Sequence, residues 1–215
     1  RGAPVGPSFD VLRIDENLRK EFKKLRAYLP KQPAKVLRLS VAVDMTKIMN
    51  IMPGKMGAMF SDGHTHGEAG TGMEGMGSMM HTPQPIEWED TMGDMNTLST
   101  SDTVRWIMKD EATGKENTDI VWKLEAGDMV KVRIINDSTS AHPMQHPIHF
   151  HGNRFVVLAT NDVPNDNMVW KDTTSLKTGD TVDILLDATN EGRWLAHCHI
   201  AEHMHSGMMM EYDVE

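Results

Sequence analysis

Seven of the 11 histidines fall in two short segments, 146–151 and 197–208, together with the chain's only cysteine, Cys198. The first reads His146-Pro147-Ile148-His149-Phe150-His151-Gly152. The second reads His197-Cys198-His199-Ile200-Ala201-Glu202-His203 and runs on to Met208. Side chains along a β-strand point alternately to opposite faces. On strands, His149 and His151 therefore share a face, His197 and His199 share a face, and Cys198 points the other way. If the two strands are neighbours, four imidazoles converge on one side of a sheet and the thiol lies on the other. His146 joins the thiol provided Pro147 keeps the chain extended. His203 and Met208 reach it along a loop that folds back.

The rest of the C-terminal two thirds supports strands. Val104–Met108, Ile120–Leu124, Met129–Ile135, Arg154–Ala159, Thr181–Leu186, Arg193–Ala196 and Met208–Val214 are short apolar or alternating runs. Gly127-Asp128, Asn136-Asp137, Asn161-Asp162 and Gly179-Asp180 punctuate them. Such spacing predicts an all-β sandwich or barrel. With 215 residues the chain is long enough for one good core. Its net charge of −9 gives no basic footprint for nucleic acid and no attraction to an anionic membrane surface. No apolar run approaches the roughly 20 residues that span a bilayer. No signal peptide is visible, and the start at Arg1 is read as a processed product or a fragment.

Residues 1–34 read as an interdomain connecting segment. Phe9–Ile14 suggests the last strand of an upstream unit. Asp15 then caps a helix whose Leu18, Phe22, Leu25 and Leu29 lie on one face, expected to pack on a neighbouring domain, and Pro30 and Pro33 end it. Residues 35–215 read as one domain, opening with a strand near Val36–Val43. It carries an insert at about 45–85 that holds nine of the 19 methionines, interleaved with glycine and with His64, His66 and His81. Around Ile48, Ile51 and Met52 the insert has the makings of a short apolar helix. Beyond Gly54 no period survives, and a loop is expected. Thioethers favour Cu(I), so the insert reads either as a gatherer of cuprous ions or as a low-complexity stretch.

Two imidazoles, one thiolate and a weak thioether form the ligand set of a blue-copper electron-transfer site, and His146, Cys198, His203 and Met208 supply it. A lone cysteine is more often a buried small hydrophobe. A Cys–His pair can be a nucleophile, and an HxH pair can bind zinc or iron. Each alternative covers one piece, and none covers eight ligand-type residues in two segments. Cys198 is also bonded directly to His197 and His199, so the spacing describes a wire between two metal sites. The five tryptophans and His142 and His205 carry no such pattern. They read as core or edge aromatics and as surface histidines.

The two segments resemble the C-terminal copper signatures of the multicopper oxidases, a family that includes laccases and bacterial cuprous oxidases. The resemblance implies a cupredoxin-like Greek-key β-barrel with an N-terminal connecting helix and a Met/Gly-rich loop insert. It implies a type 1 copper on His146, Cys198 and His203 with Met208 axial, a type 2 copper on His149, and a type 3 pair on His151, His197 and His199. Electrons from a small reducing substrate, a phenol, an aromatic amine or Cu(I), would enter at type 1 copper. Cys198 and His197 or His199 would carry them to a trinuclear cluster that reduces the co-substrate dioxygen to water. The family's cluster takes four further histidines from an N-terminal cupredoxin domain. Of that form this chain has only His64-Thr65-His66 within the insert, so the remaining pairs are expected on another chain or a removed segment. An acid that often follows the second type 1 histidine is replaced by Met204, and Glu202 points elsewhere by parity. The family points to an extracytoplasmic, periplasmic or secreted location, with no nucleic acid or membrane partner. The alternatives are a one-copper electron carrier without oxidase activity and a copper-sequestering protein.

Overall fold

The computed structural model describes residues 16–51, 100–140 and 143–215. Within them the chain forms helix α1 (Glu16–Leu25), strand β1 (Lys35–Val43) and short helix α2 (Met45–Ile51). Strands β2 (Val104–Asp110), β3 (Val121–Leu124), β4 (Asp128–Asn136), β5 (His146–Phe150) and β6 (Arg154–Thr160) follow. Next come β7 (Val163–Pro164), β8 (Trp170–Lys171), β9 (Thr173–Leu176), β10 (Thr181–Ala188) and β11 (Gly192–Cys198). Helix α3 (Ala201–His205) and β12 (Met209–Val214) complete the order.

The strands make two sheets. One runs β2-β1-β4-β10-β6-β7, with β8 also on β6, and the other runs β3-β12-β11-β5-β9. All pairings are antiparallel except β1 with β4 and β3 with β12. Most neighbours in a sheet are not consecutive in sequence, as the crossing connections of a Greek key require. The sheets leave their edges open, giving a sandwich of the expected all-β class. Alternation fixes what lies between them. Leu37, Leu39, Trp106, Met108, Val132 and Ile134 from one sheet meet Trp122, Ile148, Phe150, Cys198, Met210 and Tyr212 from the other in one buried cluster. Burial of that much apolar surface is the main stabilising term, at about 25 cal/mol per Å².

Helix α1 packs on the sheet of this chain. Phe22 and Leu25, with Tyr28 and Leu29 just beyond, pack on Val156, Leu158, Met168 and Leu185 on the outer side of this chain's own first sheet. The buried ammonium of Lys131 donates to the carbonyls of Leu29 and Lys31, each at 2.8 Å, and pairs with Asp183 at 3.1 Å. That clamp ties the end of the segment to β4 and β10. The predicted short helix near Ile48 is present as α2, with Ile48 buried. The rest of the Met-rich insert, the strand expected at Phe9–Ile14 and His142 lie outside the described residues. No helix among the described residues is long and apolar enough to cross a membrane.

Candidate metal centre

The two signature segments become neighbouring strands. β5 and β11 pair antiparallel, with His149 opposite His197 and Ile148 opposite Cys198. Directly opposed residues share a face. Along β5 the burial alternates, with His146, Ile148 and Phe150 buried and Pro147 and His149 half-buried. Even-numbered side chains therefore enter the sandwich and odd-numbered ones face outward. Pro147 keeps the strand extended, and its carbonyl accepts a hydrogen bond from the His199 amide at 2.7 Å.

The inward set closes on itself. Cys198 Sγ lies 3.7 Å from His146 Nδ1 and 3.5 Å from His203 Nδ1, and the two Nδ1 atoms are 3.2 Å apart. All three residues are buried. A triangle with those edges has a circumscribed radius of about 2.0 Å, which matches transition-metal bonds of about 2.0–2.1 Å to nitrogen and 2.3 Å to sulfur. His146, Cys198 and His203 would hold a copper ion there with the His₂Cys donor set of a blue-copper electron-transfer site. Burial pushes the His146 imidazole down to about 3, so it stays neutral with a lone pair to offer. The group fits type 1 copper in donor chemistry, size and protonation.

His203 arrives by a device absent from the sequence reading. The expected loop is the single turn α3, and His203 is its buried residue. Gly207, at φ +97°, then reverses the chain. That left-handed backbone suits glycine. The Gly207 amide donates to the Met204 carbonyl at 2.9 Å, and the Met208 amide to the His203 carbonyl at 2.9 Å. The Met208 carbonyl in turn accepts from the Cys198 amide at 3.1 Å. Met208 is thereby held beside Cys198 and fully buried.

The outward set gathers too, on the open face of the second sheet. Ring centroids of His149 lie 4.7 Å from His151, 5.6 Å from His197 and 5.8 Å from His199. His151 Nε2 is 2.9 Å from His197 Nε2. Two of these rings have their tautomer fixed. His149 Nδ1 lies 3.0 Å from the Asp172 carbonyl and 2.9 Å from Thr173 Oγ1, whose own proton goes to the Asp172 carboxylate at 2.8 Å. His197 Nδ1 lies 2.9 Å from the Cys198 carbonyl. A carbonyl only accepts, so both Nδ1 atoms carry the proton and each Nε2 keeps its lone pair, that of His197 accepting from His151 Nε2. Burial and the neighbouring imidazoles His149, His197 and His199 hold the His151 ring below the ordinary histidine range. An open cleft of about 440 Å³ reaches His149, lined by Gly152, Asn153, Arg154 and Asp172.

The final glycine of the first segment also has a physical reason. Gly152 sits at φ +70°, and a Cβ there would come within 2.2 Å of the Trp194 ring. The Trp194 indole N–H is tied to the Asn190 carbonyl at 2.9 Å. The Tyr212 hydroxyl donates to the His151 carbonyl, and burial pushes that phenol up to about 12. These contacts hold the turn that carries His151. Spacing alone could not find Tyr212, Trp194 or Thr173, because each acts through a neighbour distant in sequence. His205 is exposed on α3, as a surface histidine should be, whereas His64 and His66 fall outside the described residues.

A family model described as multicopper oxidase matches residues 80–215. An iron-transport multicopper oxidase of Schizosaccharomyces pombe is 34% identical over 100 residues, 41% of this chain and 15% of that protein. A laccase of Cryphonectria parasitica is 32% identical over 119 residues, 46% of this chain and 20% of that protein. Among solved structures, a multicopper oxidase of Aquifex aeolicus shares 33% identity over 44% of this chain and 21% of its own, with a TM-score of 0.39. This chain spans about a fifth of the length of the curated relatives it matches.

Proposed function

The chain belongs to the multicopper oxidase family, and from that premise we propose that it is the C-terminal copper-binding domain of a laccase-like oxidase. The observation that carries this reading is the pairing of β5 with β11, which puts a closed His₂Cys group and an open four-histidine group on opposite faces of one sheet. His146, Cys198 and His203 are assigned to type 1 copper with Met208 axial, His149 to type 2, and His151, His197 and His199 to type 3. Copper, when bound, supplies one-electron oxidation of a small substrate, a phenol, an aromatic amine or Cu(I), and the reduction of dioxygen to water.

The chain's own residues supply position and connection. Burial keeps water away from Cys198 and His146. Peptide bonds join Cys198 to both His197 and His199, and the Cys198 carbonyl also accepts the His197 Nδ1 proton. Those links span the sheet between the two donor groups with few atoms, and Cys198, His197 and His199 are the residues assigned to electron transfer. The open group gathers four imidazoles, and no further histidine joins them among the described residues. We assign the complementary histidines to an N-terminal cupredoxin domain, on a separate fragment or subunit of the same oxidase. Copper chemistry and family membership support an extracytoplasmic location.

A second reading rests on a specific observation. His146, Cys198 and His203 are the one closed metal-ligating group among the described residues, which suits a one-copper electron carrier. Copper content per chain and dioxygen uptake, measured on the chain alone and with its co-purifying partner, separate the two. The oxidase reading predicts one tightly held copper alone, and further copper with substrate-driven oxygen uptake once the partner is present. One copper and no oxygen uptake with the partner bound overturns it in favour of the carrier.

A further inference from the structure

His146 and Cys198 are fixed by the ladders of β5 and β11, but His203 stands on a single helical turn, outside any ladder. A residue from the opposite sheet meets its ring. Trp106, in the middle of β2, stacks on His203 with ring centroids 3.6 Å apart and planes 20° from parallel. The same indole meets His146 edge-on, at 5.6 Å and 72°. Trp106 is buried and belongs to the main core, so its plane is set by the packing of both sheets.

Its backbone is pinned as well. Asn117, at φ +51°, donates from Nδ2 to the Trp106 carbonyl at 3.0 Å and accepts the Met108 amide at 2.7 Å. The same Nδ2 atom lies 3.4 Å from where a Cβ on Gly207 would sit. The side chain that pins the strand of Trp106 thus lies close to the turn that follows α3.

We propose that Trp106 is a positioning residue for the blue-copper site, setting the ring plane of His203 so that Nδ1 faces the thiol before any metal arrives. This rests on the type 1 assignment of His146, Cys198 and His203. Loss of the aromatic face lets the His203 ring rotate on its short helix, which loosens the third ligand while leaving the other two in place. Hydrogen-bonded outer partners of ligating histidines change metal affinity by about 10–100-fold, and the stacking contact is expected to act on that scale.

The test compares wild type, Trp106→Phe and Trp106→Leu after loading with Cu(II). The readouts are the thiolate-to-copper absorption band, the electron paramagnetic resonance of the site and copper affinity by competition. Circular dichroism of the copper-free chain reports the fold. Trp106→Leu is expected to bind copper about 10–100-fold more weakly, with an altered band and resonance, and Trp106→Phe to restore both. Trp106→Leu with wild-type spectrum and affinity overturns the proposal, even if its melting temperature falls, since a purely structural tryptophan would move only stability. Should Trp106→Leu not fold, Ag(I) titration of the copper-free wild type and Trp106→Phe decides. Quenching of tryptophan fluorescence that is larger in wild type supports contact with the site, and equal quenching overturns it. A wild type that binds copper without a thiolate band overturns the type 1 assignment and this inference together.

Discussion

The two donor groups sit one residue apart in sequence and in different physical worlds. His146, Cys198 and His203 point into the sandwich, are buried, and close into a triangle whose edges already suit a metal. His149, His151, His197 and His199 point outward. Their rings gather, with His199 exposed, His149 and His151 half-buried and only His197 buried. A buried set can be organised by one chain, because packing from both sheets fixes every ring. The open set is held by contacts such as Thr173 on His149 and Tyr212 under His151, and in the proposed function a second surface completes it. Strand alternation thus sends adjacent residues to a buried donor group and to an open one.

The largest break in this contrast comes from Cys198→Ser. On the proposed function it should remove the thiolate and, with it, the blue absorption and the oxidase activity, while the outward histidines stay in place. Visible spectra and oxygen uptake check it, and retained colour contradicts the assignment. The converse change is His149→Ala with His151→Ala. It should leave the blue band intact in the copper-loaded chain and reduce oxygen uptake of the partner-bound enzyme to background. Loss of the band would mean that the two groups are not separable.

Gly152→Ala tests the turn that carries His151. It forces a side chain into left-handed backbone and against Trp194, so a loss of about 2–5 kcal/mol is expected in urea unfolding. In a Trp194→Ala background the steric part should vanish and the backbone part remain. Acid sharpens the contrast with the smallest effect. The buried His146 imidazole titrates at about 3 in the folded chain against 6.5 when unperturbed. The unfolded chain therefore binds the extra proton between those values, so stability of the copper-free protein should fall as pH drops from about 6.5 toward 3. His146→Gln should flatten that slope in a pH series of melting curves.

Much of this was legible because a period of two is a strict geometric rule. The parity of 146, 149, 151, 197, 198 and 199 followed from it, as did most strands, since each carries alternating or continuous apolar residues between turn residues. β9 was not legible. Its Thr173-Thr174-Ser175-Leu176 run is polar and short, and it pairs with β5 through backbone bonds that composition does not announce. The partner of α1 was not legible either. Amphipathic spacing states that a helix buries one face, but the outer surface of β6 and β10 was available to receive it. The turn α3 has only five residues, too short to show a helical period. Trp106 reads as a core aromatic by its neighbours, and only the packing of one sheet over the other brings it onto His203.

Diffraction data from copper-loaded crystals, collected on both sides of the copper absorption edge, test the central claim most directly. The account predicts an anomalous peak enclosed by His146 Nδ1, Cys198 Sγ and His203 Nδ1, with Met208 sulfur as the distant fourth neighbour. Copper density confined to the outer face of the sheet, with none among those three atoms, would contradict it.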